Sequence, residues 1–251
     1  MPDLFGLPDN SLPARISFLT VAIWWVGFAQ ITFKRLPENI FGRKPQGNIF
    51  LKGYQELRLV YIQIKELSDM KRFVFAFFFY NAGVQAVMYL ASLFGAKELK
   101  MEAGMLILTV LIIQLVAIGG AYLFANVSER KGNIFALVVM NIIWVLVCIA
   151  AFYVQNNSQF FMLAFVVGLI MGGIQALSRA TFSKLIPKET KDHASFFSFY
   201  DVTYNVSIVM GTLAYGSIEY LTGSMRFSAL GLGLLFVVGL FLLRKVKMTV
   251  A

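Results

Sequence analysis

Seven stretches of this chain are apolar over 17 or more residues: 16–33, 73–94, 105–127, 134–154, 160–182, 196–218 and 227–243. A helix crosses a bilayer with about 17–25 residues, so each is long enough. Backbone inside hydrocarbon must satisfy its own hydrogen bonds, which such segments do by folding as helices. The expected fold class is an all-α membrane protein with seven transmembrane helices. Composition agrees: 59% of the 251 residues are hydrophobic and the mean hydropathy is +0.73, more apolar surface than one soluble core buries. The first stretch follows Pro13 and carries Trp24 and Trp25, with no small-residue cleavage pattern behind it. It reads as a span rather than a signal peptide.

The net charge of +9 comes from 22 Lys+Arg against 13 Asp+Glu. In a soluble chain that excess suggests nucleic acid; between spans it carries orientation, so no nucleic-acid partner is expected. If the seven segments alternate, 18 of the basic residues fall on one side, nine of them within 34–72. Only Arg15, Lys97, Lys100 and Arg226 fall on the other. The positive-inside rule then puts the N-terminus outside and the C-terminus in the cytoplasm. Within 34–72, Phe50, Tyr54, Leu57, Tyr61 and Ile64 recur at steps of four and three, which predicts an amphipathic helix. Two placements fit it: on the anionic inner leaflet, or packed under the bundle.

One cysteine, Cys148, and one histidine, His193, leave no residues for a disulfide, a metal cluster or a nucleophilic triad. No phosphate-cradling Gly loop is present either. Neither a cofactor nor an enzymatic activity is expected.

Function is instead suggested by polar pairs four residues apart inside apolar segments: Asn81 with Gln85, Gln175 with Arg179, and Asp201 with Asn205. That spacing puts both members on one helix face. A polar stripe in lipid is costly unless it faces protein or a water-filled path. Asn81 and Gln85 lie roughly 12 and 18 Å into their segment at 1.5 Å per residue, near mid-bilayer. Interhelical bonding and solute contact are both open for them. Arg179 and Asp201 lie nearer the basic side, on consecutive segments, and are expected to pair. Gln114 and Asn141 are isolated and read as structural.

Segments two to four begin at 73, 105 and 134, and segments five to seven at 160, 196 and 227. Within that frame Gly83-Val84-Gln85-Ala86 recurs 90 positions later as Gly173-Ile174-Gln175-Ala176. Three helices plus three, an odd number per unit, predicts an inverted repeat, as within one half of a major facilitator.

The run Gly172-Gly173-Ile174-Gln175-Ala176-Leu177-Ser178-Arg179, continuing to Pro187, resembles the vacuole-effluxer family of major facilitators. So do Phe196 to Val202, Tyr80-Asn81-Ala82-Gly83-Val84-Gln85, Leu221 to Arg226, and Trp24-Trp25. The stretch Ala125 to Asn133 is similar to the facilitator loop signature, with Glu129 in its acidic position. The resemblance covers the family's sixth to twelfth helices. It implies a secondary transporter in a bacterial inner (cell) membrane, exporting amino acids or similar small metabolites by alternating access. Asn81, Gln85, Gln175 and Asn205 would then line the substrate pathway, and Glu129, Arg130, Arg179 and Asp201 would gate it. The implied partners are lipid, a small solute, and either an N-terminal half or a second copy. A non-transporting half acting as an assembly partner is the alternative. The chain departs from the family at Ala82, where Asp is usual, at Asn205, often Lys, and at Thr212, often Pro. These departures remove an acid and a base from the membrane, and with them two groups suited to proton coupling. The expected organisation is an outer segment 1–15, a span 16–33, a basic loop 34–72 and a six-helix half 73–251.

Overall fold

The computed structural model describes residues 11–36, 49–190 and 192–247, and the chain divides into two compact units, Met1–Ile49 and Phe50–Ala251. The described residues are helical throughout, joined by short turns. In the first unit, α1 runs over Ser11–Arg35. It is apolar on every side, the pattern of a helix solvated by lipid.

The second unit begins with α2 (Ile49–Glu66) and continues with α3 (Ser68–Glu98), α4 (Ala103–Lys131), α5 (Asn133–Tyr153), α6 (Asn157–Leu185), α7 (His193–Thr222) and α8 (Met225–Leu243). One end of this bundle, here the basic end, collects the starts of α3, α5 and α7 and the ends of α4, α6 and α8. Turn chemistry sets two reversals. Gly132 (φ +88°) separates α4 from α5, and Gly223 (φ +68°) closes α7 with its N–H on the Glu219 carbonyl. Only glycine adopts such positive φ cheaply. Asn156 caps α6, its side chain accepting from the Gln159 N–H at 2.9 Å.

Six helices, α1 included, are long and apolar enough to cross a membrane. The exception to the seven expected is α7, whose 30 residues suffice but whose composition is more polar. The reason is its run of Asp201, Tyr204, Asn205, Ser207 and Thr212. It nevertheless runs parallel to α3, from the Phe77–Tyr200 stack (4.4 Å) to the Lys97–Glu219 ion pair (3.2 Å). That is about 20 residues of α3, or roughly 30 Å, the thickness of a hydrocarbon core. Geometry therefore gives α7 the reach that its composition obscures.

The packing maps onto itself when α3–α5 are exchanged for α6–α8. The α4–α6 contact corresponds to α7–α3, and α3–α8 to α6–α5, around a central α5–α8 pair. There Trp144 stacks on Phe236 at 5.2 Å, both fully buried. Glycines allow the closest approaches. A Cβ on Gly120 would strike the Leu169 carbonyl, and one on Gly211 the Ala82 carbonyl. Gly120 and Gly211 lie 91 residues apart, the offset between the starts of the third and sixth predicted segments.

The amphipathic helix exists as α2, but its buried face is rotated from the predicted stripe. Val60 and Ile64 are buried and Leu57 half-buried, whereas Tyr54 and Tyr61 are exposed; the Phe50 side chain lies outside the described residues. Tyr61 stacks edgewise of that face on Phe199, at 6.3 Å, and Ser195 donates to Glu56. Of the two placements left open, α2 takes the packed one on that face.

Candidate functional site

The first halves of α3 and α7 and the last third of α6, where the polar pairs lie, enclose a groove of about 760 Å³. Asn81 and Tyr80 line it from α3, Gln175, Ser178 and Arg179 from α6, and Tyr200 and Tyr204 from α7. Helical spacing of four aligns Gln175 with Arg179 on one face of α6, and both side chains are exposed.

Arg179 donates to Asp201 at 3.0 Å, the pair expected from their positions. Their side chains are 60% and 54% exposed, so the pair stands on an open wall and is not buried in the bundle. The guanidinium also lies 5.5 Å from the Tyr200 ring centroid, a cation–π distance. Asn205 follows one turn along α7, exposed, with its amide donating to the Asp201 backbone carbonyl at 2.7 Å. Gln175 and Arg179 thus line the groove, and Asp201 and Asn205 continue the exposed polar strip onto α7 beside it, outside its lining.

Asn81 and Gln85 behave differently. Both are buried, and their donors are spent on α7: Asn81 Nδ2 to Ser207 Oγ at 2.5 Å, Gln85 Nε2 to Tyr204 OH at 2.7 Å. Asn81 still reaches the groove lining, while Gln85 does not. Ser207 in turn donates to the Tyr204 carbonyl. A matching relay joins α3 to α6. Ser178 donates to the Ile174 carbonyl, so the 2.7 Å contact of Tyr80 OH with Ser178 Oγ has Tyr80 as donor. Tyr80, Ser178, Tyr200, Tyr204 and Ser207 were not among the predicted residues. Ser and Tyr are ordinary in membrane helices, so spacing alone gave them no signal.

The ends are held unequally. At the end away from the basic one, Glu98 pairs with Arg226 at 3.2 Å and accepts the Met225 N–H, and Arg226 donates to the Phe152 carbonyl at 2.8 Å. This ties α3, α5 and α8 together. At the basic end, Asn133 bonds Ser128 at 2.6 Å and Thr181 at 3.1 Å, fixing the α4–α5 turn to α6. Glu129 and Arg130 project from that turn, exposed, and form no ion pair among the described residues. The groove does not include them; they border a second cavity. Gln114 is exposed on α4, and Asn141 is buried with its amide on the Leu137 carbonyl. Among the described residues no cluster of His, Cys, Asp and Glu has the makings of a metal site.

Residues 4–250 match the family described as vacuole effluxer Atg22 like. An uncharacterized MFS-type transporter, YxiO, of Bacillus subtilis is 29% identical over 93% of this chain and 54% of its own length. Autophagy-related protein 22 of Cryptococcus neoformans is 26% identical over 96% of this chain and 47% of its own. That of Kluyveromyces lactis is 27% identical over 90% and 50% respectively. The chain spans about half the length of the curated relatives it matches. None of these descriptions is that of an enzyme. With its multiple apolar helices and a match running almost end to end, this integral multi-pass membrane chain belongs to the vacuole effluxer Atg22-like family.

Proposed function

We propose that this chain is the C-terminal half of a major-facilitator-type secondary transporter, which moves amino acids or similar small metabolites out of the compartment its basic end faces. The observation that carries the reading is the exposed strip of Gln175, Arg179, Asp201 and Asn205 beside a 760 Å³ groove. A facilitator's path runs between two six-helix halves, each supplying one wall. The strip supplies a cation, a carboxylate and two amides, groups that match a solute carrying both an ammonium and a carboxylate. Asn81, fixed by Ser207, and Tyr200 shape the wall behind it. Arg179–Asp201 and the Glu129–Arg130 turn would close the basic end against the opposite half, and rocking about the midplane would expose the groove to each side in turn. The setting proposed is a bacterial inner membrane, basic end inward, in line with the bacterial relative.

An open polar wall is unfavourable against lipid. The wall therefore calls for a partner surface, and a first six-helix half fits better than a second copy because the Glu129 turn resembles a gate that closes on first-half helices. Counterflow of labelled amino acids through the co-reconstituted halves tests the site. Gln175→Leu and Asn205→Leu should each lower flux at least about tenfold, the loss of roughly 1.4 kcal/mol of solute contact. Gln114→Leu, on α4 away from the groove, should leave flux unchanged. Equal flux in all three variants would remove the strip from the pathway.

A further inference from the structure

The second cavity, about 880 Å³, lies at the basic end between the α4–α5 turn, the end of α6 and the start of α7. Arg130, Lys131, Lys184, Lys188 and His193 line it, against a single lining carboxylate, Glu129. Among the described residues, none of the four lining Lys and Arg side chains forms an ion pair. Lys184 is steered by a neutral acceptor, donating to Asn133 Oδ1 at 3.2 Å, and Lys131 rests 4.9 Å from the Phe135 ring centroid. Both ammonium groups are therefore held at the wall by uncharged neighbours. α5 and α7 begin here and α4 and α6 end here, so the helix-end partial charges offset one another and the side chains set the charge of the cavity.

Positive-inside topology explains basic residues scattered over this side. It does not ask that four cations converge on one concavity, where same-sign charges raise each other's energy and the low-dielectric walls focus the field. An anion bound among them removes that cost. Basic pockets between membrane helices on the inner side suit phosphate headgroups, and Lys and Arg supply charge-assisted donors to phosphate oxygens.

We propose that this cavity is a binding site for phosphate-bearing anions, an inference independent of what the groove transports. The shared chemistry is a phosphate group, supplied by an anionic lipid headgroup reaching in from the leaflet or by a free phosphate compound. Its position beside Glu129, Arg130 and the Asn133 anchor would let occupancy hold the α4–α5 turn against α6.

The test uses the full chain purified in neutral detergent. One arm titrates inorganic phosphate and pyrophosphate calorimetrically; the other counts phosphatidylglycerol molecules retained in native mass spectra against phosphatidylcholine. Each is repeated with the Lys131→Gln/Lys188→Gln double variant and with Lys52→Gln/Arg58→Gln, which removes equal charge from α2. Each juxtamembrane charge contributes roughly fivefold to binding, so the cavity double variant should lose about 25-fold. Saturable binding lost in the cavity variant and kept in the α2 variant supports the site. Retained lipid names the headgroup as the source, and calorimetric saturation names free phosphate. Where the double variant is unstable, Lys188→Gln alone, at an exposed position, must lose about fivefold. No saturable binding of any probe, or equal loss in the α2 variant, overturns the proposal.

Discussion

A buried amide inside a membrane helix must spend its donors on protein, and Asn81 and Gln85 spend theirs on Ser207 and Tyr204. Interhelical bonds of this kind contribute about 0.6 kcal/mol, up to about 1.7. Ser207→Ala and Tyr204→Phe should each lower thermal stability in detergent by an amount within that range. A loss above about 3 kcal/mol would mean that these bonds do more than join α3 to α7. Arg179 and Asp201 lie on an exposed wall, where an ion pair contributes about 0–1 kcal/mol. A double-mutant cycle of Arg179→Gln and Asp201→Asn should give a coupling near 0.5 kcal/mol in the chain alone. It should rise beyond 1 kcal/mol when a partner half excludes solvent. Strictly additive losses in the assembled pair would end the pairing role. The carboxylate, guanidinium and amides of this wall were legible because charges and amides are anomalous in apolar segments. The hydroxyls around it were not: Ser178 and Ser207 bond back to their own helix carbonyls and Tyr200 is largely apolar, so none breaks the pattern.

At the scale of the element, close helix approach rests on particular glycines. Gly120→Ala and Gly211→Ala should each destabilise by about 1–3 kcal/mol, because a Cβ meets a neighbouring backbone carbonyl. Gly119 has nothing within 4 Å, so Gly119→Ala should be neutral or stabilise by up to about 1 kcal/mol. Thermal melts of the three variants check this, and equal effects at 119 and 120 would contradict the packing. The repeat was visible in segment offsets and one four-residue match, and the helix-pair pattern has the symmetry those offsets predicted. Two element-level features were harder to read. Polar residues lower the hydropathy of α7 enough to hide its reach, which only its register on α3 reveals. In α2 the apolar residues exceed what one face needs. Periodicity therefore marked an amphipathic helix without identifying which edge, Leu57–Val60–Ile64, packs.

For the whole molecule, the split of 18 basic residues against four predicts orientation. Single cysteines at positions 5 and 100, in a Cys148→Ser background, should react with impermeant reagent from outside, and those at 131 and 248 should not. Positions 5 and 248 lie outside the described residues, so for them the expectation rests on sequence alone. Labelling of 131 in intact cells would reverse the orientation. The central claim is that the groove is one wall of a path completed by a partner. Solute flux into proteoliposomes, measured with the purified chain alone and after co-reconstitution with a candidate first half, tests it most directly. Background flux is expected for the chain alone and saturable flux for the pair, lost again on Gln175→Leu. Robust flux through the monomeric chain alone would contradict that claim and require a path within the six-helix bundle itself.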